Sequence, residues 1–253
     1  MLHAPTGSLS APQHPDLRVG LPKADGHVLR NPSVAHCCIG IGSALHELLN
    51  GLRSASPPTV MQTGSPWRTL LDERQCPIVE HGAGALSAWP WTAADSADGL
   101  EAAFASPALL IEFVESLATV FSSQEEELVV AVVLLEQLVR MGRVRIRPHT
   151  VRVLVLTLLV VAHKVVHDGS VVLGHFLEAA TPYFPLLTQE RFEALEVGAL
   201  NALDWAIPTM PHYQIYANEL FHLADVYRRA RGAHVQPGGT PVPNILRGFG
   251  GVS

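Results

Sequence analysis

The feature that most constrains this chain is Val151–Asp168, VRVLVLTLLVVAHKVVHD, its most apolar stretch, which ends abruptly in His163, Lys164, His167 and Asp168. An apolar helix with no wide polar face has to be enclosed by other elements. The lysine near its end must then be either neutralised or presented to something. A buried strand is the alternative for a Val/Leu run, but the segment exceeds ordinary strand length and its polar residues fall at helical positions. A membrane span needs about 18 to 20 consecutive apolar residues. The runs Leu128–Leu135 and Val153–Ala162 fall short, so both are expected as buried helices of a soluble protein with no membrane span.

Apolar periodicity places five more helices around this one. Ala108–Phe121 carries Leu109, Leu110, Phe113, Val114, Leu117 and Val120 as one stripe, with Pro107 at its start. Ser122 and Ser123 are expected to stop it and cap Gln124–Met141, which opens with Glu125, Glu126 and Glu127 at the positive end of the helix dipole and stops at Gly142. Pro148 starts the central helix, and Asp168-Gly169 breaks it. Ser170–Ala180 follows, then a helix from Gln189 to Leu203 opened by Thr188 in a capping-box-like pattern, then Tyr213–Arg231. The fold class expected is all-α, with a domain over 107–231 of about 120 residues, ample for its own core.

The N-terminal 100 residues read differently. Met1 to about Ala35 is rich in Pro, Gly, Ser and His with no apolar period, and is expected to be disordered or only locally ordered. Ile39–Leu52 predicts a short helix capped by Ser43 and closed by Asn50-Gly51, its centre near 41–50. Ser54–Ser65 reads as a linker, Trp67–Arg74 as two helical turns, and 83–99 as irregular chain whose Trp89 and Trp91 pack onto the domain. Gln236–Ser253 reads as a flexible Gly/Pro-rich tail. Met1–Gly20 lacks the apolar region of a secretory signal, and Met-Leu-His is not a myristoylation start. Cys37, Cys38 and Cys76 form a poor disulfide framework and lack paired zinc spacing with His36, so they are expected reduced, in an intracellular (cytoplasmic or nuclear) protein.

Few groups offer chemistry. His163 and His167 stand four apart on one helix face, which is metal-ligand spacing, with Asp168 as a third candidate. Lys164 occupies the place where a zincin-like site has glutamate, and its charge opposes a metal. The pair is therefore read as helix-end histidines favoured by the dipole, and no metal or cofactor is expected. Glu125–Glu127 read as a solvated helix start. Arg143, Arg145 and Arg147 lack interleaved aromatics, and a net charge of -6 leaves no footprint for nucleic acid. No phosphate loop, nucleophile elbow or C-x-x-C is present. No enzyme activity is expected.

The segments LVVAVVLLEQLV, IRPHTVRVLVLTLLVVAHKVVHD and LTQERFEALEVGALNALDWAIP, in this order, resemble the cyclin box. They are most similar to the single-box cyclins of the cyclin Y and fungal phosphate-signalling (P/U-type) groups. Ala162-His163-Lys164 and Glu196 followed by Leu200–Trp205 carry the sharpest match, within a resemblance covering roughly Pro107 to Arg229. Cell-cycle cyclins have a Met-Arg-led docking motif where this chain has Ser106-Pro107-Ala108-Leu109-Leu110, Glu136-Gln137 replaces the usual acid–arginine pair, and only one helix follows Trp205. These departures point to the single-box group. The resemblance implies five helices packed around a buried central one, plus a C-terminal helix. It implies a regulatory subunit that binds and activates a cyclin-dependent Ser/Thr protein kinase, with Lys164 and Glu196 paired on the kinase-binding face. Val161, Phe192, Glu125 and Leu128 would be its neighbours there. The rivals are a cyclin-fold transcription adaptor, which the acidic total disfavours, a non-kinase helical interaction domain, and a small metalloenzyme at His163, His167 and Asp168.

Overall fold

A computed structural model of the chain describes residues 32–54, 66–78, 107–167, 173–207 and 213–234. Among them are eight helices and no strand: α1 (Val34–Ser54), α2 (Pro66–Leu71), α3 (Pro107–Val120), α4 (Glu125–Arg140), α5 (Pro148–Val166), α6 (Leu173–Ala180), α7 (Gln189–Ala202) and α8 (Tyr213–His234). The expectations for Trp89, Trp91, Asp168, most of the first 31 residues' neighbourhood and the C-terminal tail lie outside the described residues.

The central helix is α5. Pro148 opens it, where a missing N–H costs nothing, and the Thr150 hydroxyl accepts from the Arg147 N–H at 3.0 Å. Every residue from Thr150 to Ala162 is buried. By length and composition alone α5 would be long and apolar enough to cross a membrane, but 72% of that stretch is buried inside the fold, as in the core helix expected. Here its sides are covered by α4, α7 and α2. One residue within it, Arg152, is buried as an ion pair with Glu73 in the chain after α2.

Two helix starts and one stop differ from expectation. α4 is capped by Gln124, whose side chain makes no cap hydrogen bond, rather than by Ser123. Ser122 takes the left-handed conformation (φ 51°) and Ser123 is buried. Glu127, expected in solvent, is 1% exposed. It lies one turn before Ala131 and two before Leu134, on the stripe that faces the core. At the other end Gly142 (φ 65°) ends α4 where a left-handed residue is needed. Thr188 caps α7 as expected, accepting from the Arg191 N–H at 3.2 Å.

α1 is the largest departure. It begins at Val34, not near Ile39, because Ser33 is its cap: the Ser33 hydroxyl accepts from the His36 N–H. Ser43, expected as the cap, is buried inside the helix. Asn50 does not end it, since its side-chain amide donates to the His46 ring one turn back at 3.0 Å. α1 packs chiefly on α3 and α8, and Cys37, Cys38, Ile41, Leu45 and Leu49 belong to the same core as α3–α7. The core therefore extends across the boundary set at Pro107.

Glycines make this packing close. A Cβ on Gly40 would lie 2.6 Å from the Leu220 carbonyl oxygen of α8, and one on Gly42 would lie 2.6 Å from the Ile111 nitrogen of α3. In both cases the obstacle is backbone, which has nowhere to go. α2 is seated similarly. Trp67 covers Gly198 of α7 and donates its indole N–H to the Leu195 carbonyl at 3.2 Å. Arg191 then satisfies the Leu70 and Pro77 carbonyls at 2.8 and 2.7 Å, supplying partners that the end of a two-turn helix lacks.

Candidate functional site at the end of the central helix

Burial of α5 stops at Ala162, and the residues that follow emerge between α4 and α7. Successive helical residues project about 100° apart, so Lys164 leaves toward α7 while His163 and His167 face α4. Two polar groupings result, on either side of one helix end.

On the α7 side, the Lys164 Nζ donates to both carboxylate oxygens of Glu196, at 2.6 and 2.7 Å. Their side chains are 24% and 15% exposed, respectively. Both are thus held against the fold while remaining reachable from outside. A Lys ammonium carries three donors and a carboxylate about four acceptor positions. The pairing uses two of each and leaves one donor and two acceptor positions for other groups.

Beyond Glu196, Val197 of α7 and Trp205 and Ile207 in the chain that follows it are exposed large apolar residues. Trp205 is 62% exposed, yet it is not loose: its indole N–H donates to the Asn201 side chain at 2.9 Å. Asp204 and Trp205 both adopt positive φ (53° and 56°), a costly conformation for residues with side chains. The segment is tied to the end of α4 by an Arg143–Asp204 ion pair at 3.1 Å and by Gln137 donating to the Ala206 carbonyl at 3.1 Å. Trp205 entered the sequence reading only as part of a motif; the aromatic following a helix-ending Asp was the available signal for an outward ring.

On the α4 side, the buried Glu127 carboxylate lies between two imidazoles. One oxygen is 2.8 Å from His167 Nε2 and the other 3.0 Å from His163 Nδ1. The first is a hydrogen bond. The second contact is off the hydrogen-bond axis, so Glu127 Oε2 and His163 Nδ1 are both buried without a hydrogen-bond partner. The two rings stand 4.4 Å apart, and the Phe176 ring meets His163 edge-on at 4.7 Å. Glu127 is the carboxylate that the described residues bring to these histidines; Asp168 lies outside them.

Of the residues implied for a kinase-binding face, the structure brings Lys164 and Glu196 together. Glu125 is half-buried in the first turn of α4. Leu128, Val161 and Phe192 are core residues, 0%, 2% and 1% exposed. In this structure they back the face rather than line its surface. His36, Cys37, Cys38 and Cys76 do not form a ligand set. His36 stacks on Phe221 and accepts from Arg228 at 2.7 Å, while Cys37 and Cys38 are buried and all three thiols are free. No protein-family model matches the chain, and searches of curated proteins and of solved structures return no significant match.

Proposed function

We propose that the chain is a cyclin-like regulatory subunit that binds and activates a cyclin-dependent Ser/Thr protein kinase through the face formed by the end of α5 and the outer side of α7. The observation that carries this reading is the Lys164–Glu196 pair. A partly exposed ion pair contributes only about 0–1 kcal/mol to folding, so its stabilising value is a weak reason for it to be there. Its geometry suits recognition. Glu196 holds the long lysine in one rotamer, which lowers the entropy lost when a partner arrives. The spare donor meets a backbone carbonyl, and the free acceptor positions meet backbone N–H groups.

The resemblance supplies what those backbone groups belong to: the mobile C-helix region of the kinase. An active kinase requires an ion pair between its strand lysine and a glutamate of that helix. A subunit that binds only the inward position of the helix shifts the population toward activity without doing chemistry. Exposed Val197, and Trp205 and Ile207 in the chain after α7, supply apolar area. The Trp205 ring, held by Asn201 before any partner arrives, suits an anchoring role.

The double substitution Lys164→Glu plus Glu196→Ala tests the face. Co-precipitation of the kinase should fall sharply, since leaving buried polar groups of such an interface unpaired costs on the order of 2–5 kcal/mol, while helix content by circular dichroism is unchanged. Undiminished binding by a folded variant would remove Lys164 and Glu196 from the site.

A further inference from the structure

The pairing of Lys164 removes the objection that its charge opposes a cation nearby, because Glu196 neutralises it on the far side of the helix. What remains around Glu127 is its buried carboxylate and two imidazoles, one of them, His167, hydrogen-bonded to it at 2.8 Å. A buried carboxylate oxygen and an imidazole nitrogen face each other at 3.0 Å with neither in hydrogen-bond geometry. Buried polar atoms without partners are rare in native proteins and call for an explanation. A bound cation would give both of these buried atoms the partner they lack.

We propose that Glu127, His163 and His167 bind a divalent transition-metal ion of the Zn²⁺ class, bridging the first turn of α4 to the last turn of α5. The three side chains each offer one ligand atom, and these atoms lie within 4.8 Å of one another. Tetrahedral zinc with bonds of about 2.1 Å places its ligand atoms about 3.4 Å apart. The shortest Glu–His separations, 2.8 Å from Oε1 to His167 and 3.0 Å from Oε2 to His163, lie below this value and run to different carboxylate oxygens, so the rings and the carboxylate must turn to admit the ion.

Two imidazoles and one carboxylate are borderline ligands that suit zinc and its neighbours better than calcium or magnesium, which prefer oxygen alone. The carboxylate neutralises one of the two metal charges. Phe176 packs edge-on against His163, with Phe121 edge-on behind it, which lowers the local dielectric and strengthens the ligand–metal attraction. His167, 35% exposed, leaves the site open to solvent on one side, so an ion can enter and a water can fill the fourth position. Three protein ligands with an open fourth position is a recognised zinc arrangement. The site is independent of the kinase reading, although it would clamp the end of α5 that carries Lys164.

The test uses the full chain without an affinity tag, stripped with a chelator and titrated with Zn²⁺ by calorimetry, then with Co²⁺ followed by visible absorption. The expected result is one equivalent of Zn²⁺ bound by the three residues, with an intense tetrahedral Co²⁺ spectrum. His167→Ala, at the half-exposed position, and the isosteric Glu127→Gln should each lower affinity by more than about 100-fold, exceeding the usual loss from removing an outer-sphere partner. Melting curves of the metal-free proteins establish that His167→Ala is folded. Absence of Zn²⁺ binding by the wild-type chain overturns the proposal. So does binding that His167→Ala and Glu127→Gln both retain, since it must then arise from the chain's other histidines.

Discussion

Arg152, inside the most apolar helix of the protein, forms a two-point ion pair with Glu73, a residue 79 positions earlier that follows the short helix α2. Arg152 Nε donates to Glu73 Oε1 at 3.0 Å and Arg152 Nη2 donates to Oε2, with both side chains 5% exposed. The pair joins a segment outside the expected domain to the centre of the core.

A buried pair of this kind adds little over an apolar replacement, but removing one partner strands the other charge. Arg152→Ala is expected to lower unfolding free energy by about 3–5 kcal/mol, measured by urea denaturation. The double variant Arg152→Met plus Glu73→Leu should recover most of that loss. A single variant as stable as wild type would mean that water reaches Glu73.

The glycines make opposite predictions by position. Gly40→Ala and Gly42→Ala each drive a methyl into backbone of a neighbouring helix, and overpacking of this kind costs about 1–3 kcal/mol. Gly232, in α8, has nothing within 4 Å of an added Cβ, so Gly232→Ala should instead stabilise by up to about 1 kcal/mol. Thermal melts of the three variants, run together, check the sign at each site.

His36 links α1 to α8. Burial lowers its pKa below the ordinary value of 6.5, and the neighbouring Arg228 guanidinium lowers it further, against an opposing pull from Asp225. Arg228 only donates, so Nε2 of His36 must accept and its proton sits on Nδ1, toward Ser33. Because the folded-state pKa is the lower one, the unfolded chain binds this proton more readily. The contribution of His36 is therefore complete above about pH 6.5 and is lost as the pH falls toward the folded-state value. The difference in melting temperature between wild type and His36→Asn should shrink on acidification through that window. A constant difference would show that His36 is not held neutral.

Burial also pushes the Cys37 and Cys38 thiols up to about 12, with Glu125 and Glu126 adding to the effect at Cys37 and Glu115 at Cys38. Thiolate is the reactive form. Iodoacetamide at pH 8 is expected to modify half-buried Cys76 and to spare Cys37 and Cys38 until the protein unfolds, as peptide mass spectrometry would report. Early labelling of Cys37 or Cys38 would mean that α1 detaches readily from α3.

Much of the helical layout was legible because its signals are local. Pro148 and the unbroken apolar run mark α5, Thr188 marks α7, and Gly142 marks the end of α4. The meeting of Lys164 and Glu196 was legible through resemblance alone, since nothing in spacing brings residues 32 apart together. α1 was underestimated because its first turn, Val34–Cys38, follows a Pro/Gly/Ser-rich stretch without an apolar period, and the close packing of Gly40 and Gly42 is one that only neighbours from α3 and α8 reveal. Glu127 was hidden by its setting: an acidic triplet at a helix start reads as solvated, although its register with Ala131 and Leu134 placed it inward. The Glu73–Arg152 pair joins segments with no shared pattern, so only the tertiary structure discloses it.

The central claim is that this chain acts by holding a protein kinase. The most direct measurement is quantitative mass spectrometry of what co-purifies with the full chain, at native abundance, from its own cells. The account predicts one Ser/Thr protein kinase at near-equal stoichiometry, reduced in parallel purifications of the Lys164→Glu plus Glu196→Ala variant. Recovery of the folded chain with no kinase, or with transcription-factor partners in its place, would contradict it.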